Sequence, residues 1–170
     1  YRPFPEEMNR RTLGVIASYH FAPTESAAQA LRREGIPEGD IFVTGNPVID
    51  ALRWISNRKR SREAEQFLGE LGLGADNGPA GTLRTFLVTA HRRESFGGPL
   101  EGVCAALRAL VRRNPDLQVV YPVHLNPNVR GPVFGLLAGE PRIHLTEPLP
   151  YETLVHLLAR SYAVMTDSGG

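Results

Sequence analysis

From Thr85 onward, short runs of β-branched and apolar residues alternate with stretches whose apolar positions recur every three or four residues. The runs are Thr85–Thr89, Leu117–Tyr121, Ile143–Leu145 and Tyr162–Thr166. Between them, Pro99 to Arg113 would put Leu100, Val103, Leu107, Leu110 and Val111 on one helical face, and further helices are predicted over Val129 to Leu137 and Tyr151 to Arg160. Such alternation of strands and helices predicts a parallel sheet covered on both faces. This is the pattern of a Rossmann-like half, an α/β architecture.

The first fifty residues repeat the alternation more briefly. A helix is predicted from Glu6 to Ile16, a strand at His20–Ala22, and a helix that starts after Thr24 and stops at Gly35. Thr24 suits an N-cap, and Gly35 suits the left-handed residue that ends a helix. A strand at Ile41–Thr44 leads through Gly45 and Asn46 to Pro47, which is suited to the first turn of another helix. Between the blocks lie a charged helix, Asn57 to Leu71, and a glycine-rich polar loop at 72–81. The composition shift predicts a domain boundary between residues 46 and 58, with the loop as an exposed insertion.

Composition narrows the partners. With 19 basic against 18 acidic residues, nothing favours nucleic acid or a membrane surface. The single cysteine, Cys104, supports neither a disulfide framework nor a thiolate metal site. No apolar run approaches the ~18 residues of a membrane helix, so a soluble cytoplasmic protein is expected. Tyr1 is not an initiator Met, and Asp167–Gly170 reads as a turn leading into a helix. Both ends therefore read as internal to a longer protein.

Ligands of open parallel sheets bind beyond the carboxyl ends of the strands. Four such ends carry polar clusters: His91–Gly98, His124–Asn128, Thr146–Pro148 and Asp167–Gly170. Their convergence would gather two histidines, two arginines, a glutamate and a Ser-Gly-Gly turn at one crevice. Ser168, Gly169 and Gly170 suit phosphate, because glycines admit close backbone approach and a following helix would offer free N–H groups. The same turn also serves purely steric ends. His91 and Arg92 offer a titratable ring and planar donors near a dianionic group, with a solvated basic loop as the lesser alternative. His124 could belong to no more than an Asn-rich turn. Glu6 and Glu7, in a helical first turn, are accounted for by the helix dipole alone. His20, His144 and His156 fall within predicted strands or helices and read as structural. Five histidines without paired spacing do not form a zinc site, and no metal or cofactor is expected.

Taken in order, Pro3–Arg10, His20–Thr24, Phe42–Asn46, Val48–Leu52, the His91–Gly97 loop, Tyr121–Val129 and Thr166–Gly170 resemble the motifs of bacterial non-hydrolysing UDP-N-acetylglucosamine 2-epimerases. The resemblance spans essentially the whole chain. It implies a GT-B architecture, two Rossmann-like domains facing a cleft, of which residues 1–50 would be the end of the first domain and 51–170 the first part of the second, UDP-binding domain. The implied activity is reversible interconversion of UDP-GlcNAc and UDP-ManNAc, by anti elimination of UDP to 2-acetamidoglucal and re-addition, for bacterial surface polysaccharide.

The resemblance also implies roles for residues. Glu6 matches a carboxylate of the acid/base set, and His91 the histidine near the diphosphate. Ser168, Gly169 and Gly170 match the phosphate-binding turn, while Leu149 and Leu154 lie where the family cradles uracil, Leu149 through backbone groups. Glu6, Arg92 and His124 match a regulatory contact with a second UDP-GlcNAc. A homodimer is implied for the full-length protein. Two acid/base carboxylates and the basic phosphate contacts would lie before Tyr1, and the ribose-binding acid beyond Gly170, so this chain alone is expected to be inactive. Pro47 stands where the family usually has Thr, and the 72–81 loop is longer than usual. A GT-B glycosyltransferase, the hydrolysing branch of the 2-epimerases, and a UDP-sugar-binding regulatory protein without catalysis are the alternatives.

Overall fold

The computed structural model describes residues 3–73 and 83–167, apart from the side chain of Glu94. The chain divides into two compact units, Tyr1–Trp54 and Ile55–Gly170.

In the first unit, α1 (Glu6–Ile16) is followed by β1 (His20–Ala22), α2 (Glu25–Arg33), β2 (Ile41–Val43) and α3 (Pro47–Ser56), the last running across the division. The hydroxyl of Thr24 accepts from the Ala27 N–H at 3.2 Å, which caps α2, and Gly35 takes φ 89° just after it. A residue with a Cβ is strained in that conformation, so the glycine stops the helix where the chain must turn. β1 and β2 pair in parallel, His20 opposite Ile41. Ala22, Ala28 and Ile41 form a small core with Leu31 and Ile36.

The second unit is a three-layer αβα sandwich. β3 (Arg84–Thr89), β4 (Leu117–Pro122), β5 (Ile143–Thr146) and β6 (Ala163–Thr166) form one parallel sheet in the order β5-β4-β3-β6. Side chains alternate across β4, as the two-residue period of a strand requires. Leu117, Val119 and Tyr121 join Leu100, Cys104, Leu107 and Val111 of α5 (Gly98–Arg113) and Val129, Val133 and Leu137 of α6 (Pro127–Leu137) on one face. On the other face Val120 and Leu87 meet Leu68 of α4 (Arg62–Glu70) and Leu157 of α7 (Tyr151–Arg160).

Two helices begin elsewhere than their patterns predicted. The charged stretch expected to be helical from Asn57 starts only at Arg62, because Ser61 stays extended and caps α4 by accepting from the Ala64 N–H at 3.2 Å. The Ser61 N–H donates to the Glu152 carboxylate at 2.7 Å, tying that start to α7. α6 begins at Pro127 rather than Val129, since the Asn126 side chain caps it by accepting from the Asn128 N–H at 3.0 Å. Most of the predicted 72–81 loop lies outside the described residues.

Candidate functional site

β3 lies between β4 and β6, so the order of connection reverses there: β4 and β5 are added on one side of β3, and β6 on the other. The carboxyl ends of β3 and β6 flank this reversal, the position at which open α/β sheets receive ligands. Thr89 and Thr166 are paired in register, so the residues that follow them emerge side by side.

Asp167, the first residue after β6, turns its carboxylate toward the segment after β3. Its Oδ2 accepts from the His91 N–H at 2.8 Å, the Arg92 N–H at 2.7 Å and the Ser95 hydroxyl at 3.2 Å. Burial alone would raise this carboxyl, but the N–H groups of Arg92 and His91, with the Ser95 hydroxyl, outweigh it and hold Asp167 below the usual carboxylate range. Oδ1 is buried without a hydrogen-bond partner among the described residues and lies 3.9 Å from His91 Nδ1.

The His91 ring stacks on His124, which follows β4, with centroids 5.5 Å apart and planes 13° from parallel. The Asn126 N–H donates to His124 Nδ1 at 3.1 Å, which makes Nε2 the proton-bearing nitrogen of the neutral ring. Beneath this pair the fully buried Tyr121 donates its hydroxyl to the Ala90 carbonyl at 2.7 Å, fixing the residue just before His91. Burial pushes the Tyr121 phenol far above its ordinary range, so it remains a donor.

Of the residues singled out from the sequence, His91, Arg92 and His124 are thus gathered at the ends of β3 and β4. Leu149 and Leu154 lie apart from them, partly buried against the α4/α7 face. Glu147 is occupied by Arg130, with N···O distances of 2.8 and 2.5 Å. Glu6 is in the first unit, exposed in the first turn of α1. Its neighbour Glu7 is committed to ion pairs with Arg10 and Arg11, which hold its carboxyl down to about 2. Ser168, Gly169 and Gly170 lie outside the described residues. His144 sits on β5 beside Gln118, and His156 is buried on α7. Among the described residues no group of three His, Cys, Asp or Glu could hold a metal ion, and no helix is long and apolar enough to cross a membrane.

Asp167 and Tyr121 are the contributors that sequence reasoning missed. The signal for Asp167 was a carboxylate standing first after an apolar strand and beside a Ser-Gly-Gly turn. The signal for Tyr121 was a hydroxyl near the end of a strand whose only other polar side chain is Gln118.

The family model for UDP-N-acetylglucosamine 2-epimerase matches residues 1–170. The chain belongs to the UDP-N-acetylglucosamine 2-epimerase family. It is 48% identical to the Yersinia pestis UDP-N-acetylglucosamine 2-epimerase and 42% identical to that of Campylobacter jejuni. The alignments cover 100% and 99% of this chain and 44% of each relative, so the chain spans less than half the length of the relatives it matches. Among solved structures, the Neisseria meningitidis UDP-GlcNAc 2-epimerase bound to UDP-GlcNAc superposes with a TM-score of 0.87 at 38% identity, covering 99% of this chain and 44% of that one. S. aureus MnaA in its co-structure with UDP gives 0.81 at 39% identity, covering 99% and 43%. These epimerases have the GT-B architecture, and the parallel α/β units described above cover part of it.

Proposed function

We propose that the full-length protein containing this sequence interconverts UDP-GlcNAc and UDP-ManNAc without net hydrolysis. The reading is supported above all by the loop bearing His91, which lies at the reversal of strand order in a chain of the epimerase family. The reaction requires a carboxylate to take the C2 proton while the C1–O bond breaks. The electron pair of the C2–H bond becomes the double bond of 2-acetamidoglucal, and UDP departs with the glycosidic oxygen. Re-addition of UDP at C1 with protonation on the opposite face of C2 gives the epimer.

Charge grows on the diphosphate as it leaves, so donors aimed there lower the barrier. In this reading His91 is such a donor, and Ser168, Gly169 and Gly170 supply the phosphate-binding turn. Glu6 is one of the acid/base carboxylates, and Leu149 and Leu154 border the uracil, Leu149 through its backbone since its side chain packs inward. Glu6, Arg92 and His124 contact a second, regulatory UDP-GlcNAc. The full-length protein works as a cytoplasmic homodimer, has UDP-GlcNAc, UDP-ManNAc and UDP as its ligands, and supplies UDP-ManNAc for bacterial surface polysaccharide. Residues 1–50 are the end of its first Rossmann-like domain and 51–170 the first part of its second; the 170-residue chain alone is inactive.

The test is product analysis on the full-length protein. Chromatography of UDP-GlcNAc incubations should resolve UDP-ManNAc with the sugar-nucleotide total constant. Free ManNAc with UDP would assign it to the hydrolysing branch, and UDP release only when an acceptor is added would assign it to the glycosyltransferases.

A further inference from the structure

The loop after β3 holds the exposed ring of His91 at the carboxyl ends of β3 and β4, yet little in its own sequence fixes it there. After Ala90 the chain makes a single 3-10 turn, Arg93–Ser95, and passes through Gly97 at φ 75° before α5 begins. What restrains it comes from across the sheet. Three donors of one short segment, two backbone N–H groups and a hydroxyl, converge on a single oxygen of Asp167. The Asp167 side chain is 17% exposed and the His91 side chain 45%, so the anchor is covered while the ring it steers faces solvent.

The second oxygen is equally informative. Among the described residues Oδ1 has no donor, and a buried carboxylate oxygen in that state favours any donor brought within reach. The ring nitrogen facing Oδ1 is His91 Nδ1, at 3.9 Å. A movement of the ring by about 1 Å would bring this approach within hydrogen-bond distance. A proton on Nδ1 directed at Asp167 fixes the tautomer and leaves Nε2 as the nitrogen that meets a ligand. The same carboxylate thus sets the height of the loop and the direction of the ring.

We propose that Asp167 is a positioning residue for the ligand diphosphate: it aligns the His91 ring and the loop carrying it, without itself touching the ligand. This rests on the epimerase reading above, with His91 as the diphosphate donor. Misplacement of such a donor by about 1 Å can cost about 10²-fold in rate, because the stabilisation it gives the departing charge depends on alignment.

The test is a double-mutant cycle on the full-length protein, with Asp167→Asn, His91→Ala and the pair, reading kcat and KM separately. Asn keeps one oxygen for the N–H donors but replaces the charge and the second acceptor. If Asp167 acts through His91, Asp167→Asn lowers kcat about 10- to 100-fold with KM within about threefold, and the pair is no more than about threefold below His91→Ala alone. Multiplying losses, or Asp167→Asn within about twofold of wild type, would overturn the proposal. Circular dichroism checks folding of each variant. Should Asp167→Asn fail to fold, Ser95→Ala takes its place in the cycle: a loss of about 3- to 10-fold that vanishes in the His91→Ala background supports the proposal, and a loss that persists overturns it. If the wild-type protein turns over no UDP-GlcNAc, the epimerase reading falls by itself. The cycle is then read on UDP affinity by calorimetry, where coupled losses support positioning and independent or absent losses overturn it.

Discussion

Replacing Tyr121 by Phe in the full-length protein removes one oxygen and leaves the ring in place. Tyr121 is fully buried in the core between β4 and α5, so no cavity larger than a hydroxyl arises and the loss is that of a hydrogen bond. Its 2.7 Å bond ends on the carbonyl of Ala90, which is 5% exposed and is not easily reached by replacement water. A net hydrogen bond contributes about 0.5–1.5 kcal/mol, and an acceptor stranded in the interior adds to that, so the expected cost is about 1–2 kcal/mol. Urea unfolding of the second unit should show the midpoint falling at unchanged slope, with Tyr151→Phe, an exposed tyrosine, as the control within about 0.5 kcal/mol. The β3 end should also exchange its amide protons faster from Ala90 through Ser95, since the anchor beneath His91 is gone. A stability change under about 0.5 kcal/mol with unaltered exchange would refute the idea that Tyr121 fixes the base of this loop.

His91→Ala should lower turnover of the full-length protein by about 10²- to 10³-fold through the departing diphosphate, and activity within about twofold of wild type would return His91 to the solvated-loop reading. Leu107→Ala, at a core position 2% exposed, should cost about 2–5 kcal/mol in denaturant unfolding, and less than about 1 would mean that α5 does not pack as described. Burial lowers the His144 pKa; at His156 burial lowers it too, with Arg60 and Arg160 outweighing the opposite pull of Glu152. A depressed folded-state value means that the unfolded chain takes up the proton first on acidification. Their stabilising contribution is therefore complete above about pH 6.5 and declines as pH falls toward the folded values. Unfolding midpoints measured from about pH 8 down to 5.5 should fall, less steeply in the His144→Gln/His156→Gln double variant, and an equal slope in both proteins would contradict the assignment.

The elements were legible where a residue with one conformational role marks their ends. Thr24 and Gly35 bracket α2, and Pro47 opens α3, because a cap, a left-handed turn and a fixed φ act within a few residues of themselves. The start of α4 was not legible in a run of charges, which have helical propensity on either side of Ser61; the Ser61–Glu152 bond that settles it spans 91 residues. The candidate site divides the same way. His91 and His124 stand out as polar residues after apolar strands, and their strand ends are neighbours in any sheet of this order. Asp167 opens a polar cluster after an apolar strand in the same way, but its role was not legible, because it depends on the pairing of Thr89 with Thr166, which brings His91 within hydrogen-bond reach across 76 residues of sequence. The inward packing of Leu149 and Leu154 likewise depends on α4 crossing the same face, and no local pattern contains that.

The central claim is that the C2–H bond of the sugar is broken and remade while UDP stays available for re-addition. Proton NMR of UDP-GlcNAc with the full-length protein in deuterated water observes both events together. The account predicts that UDP-ManNAc appears with deuterium at C2, that the H2 signal of the UDP-GlcNAc pool decays as the equilibrium is approached, and that both slow in parallel in His91→Ala. Retention of the C2 proton in the UDP-ManNAc formed, or free ManNAc and UDP as the main products, would contradict it.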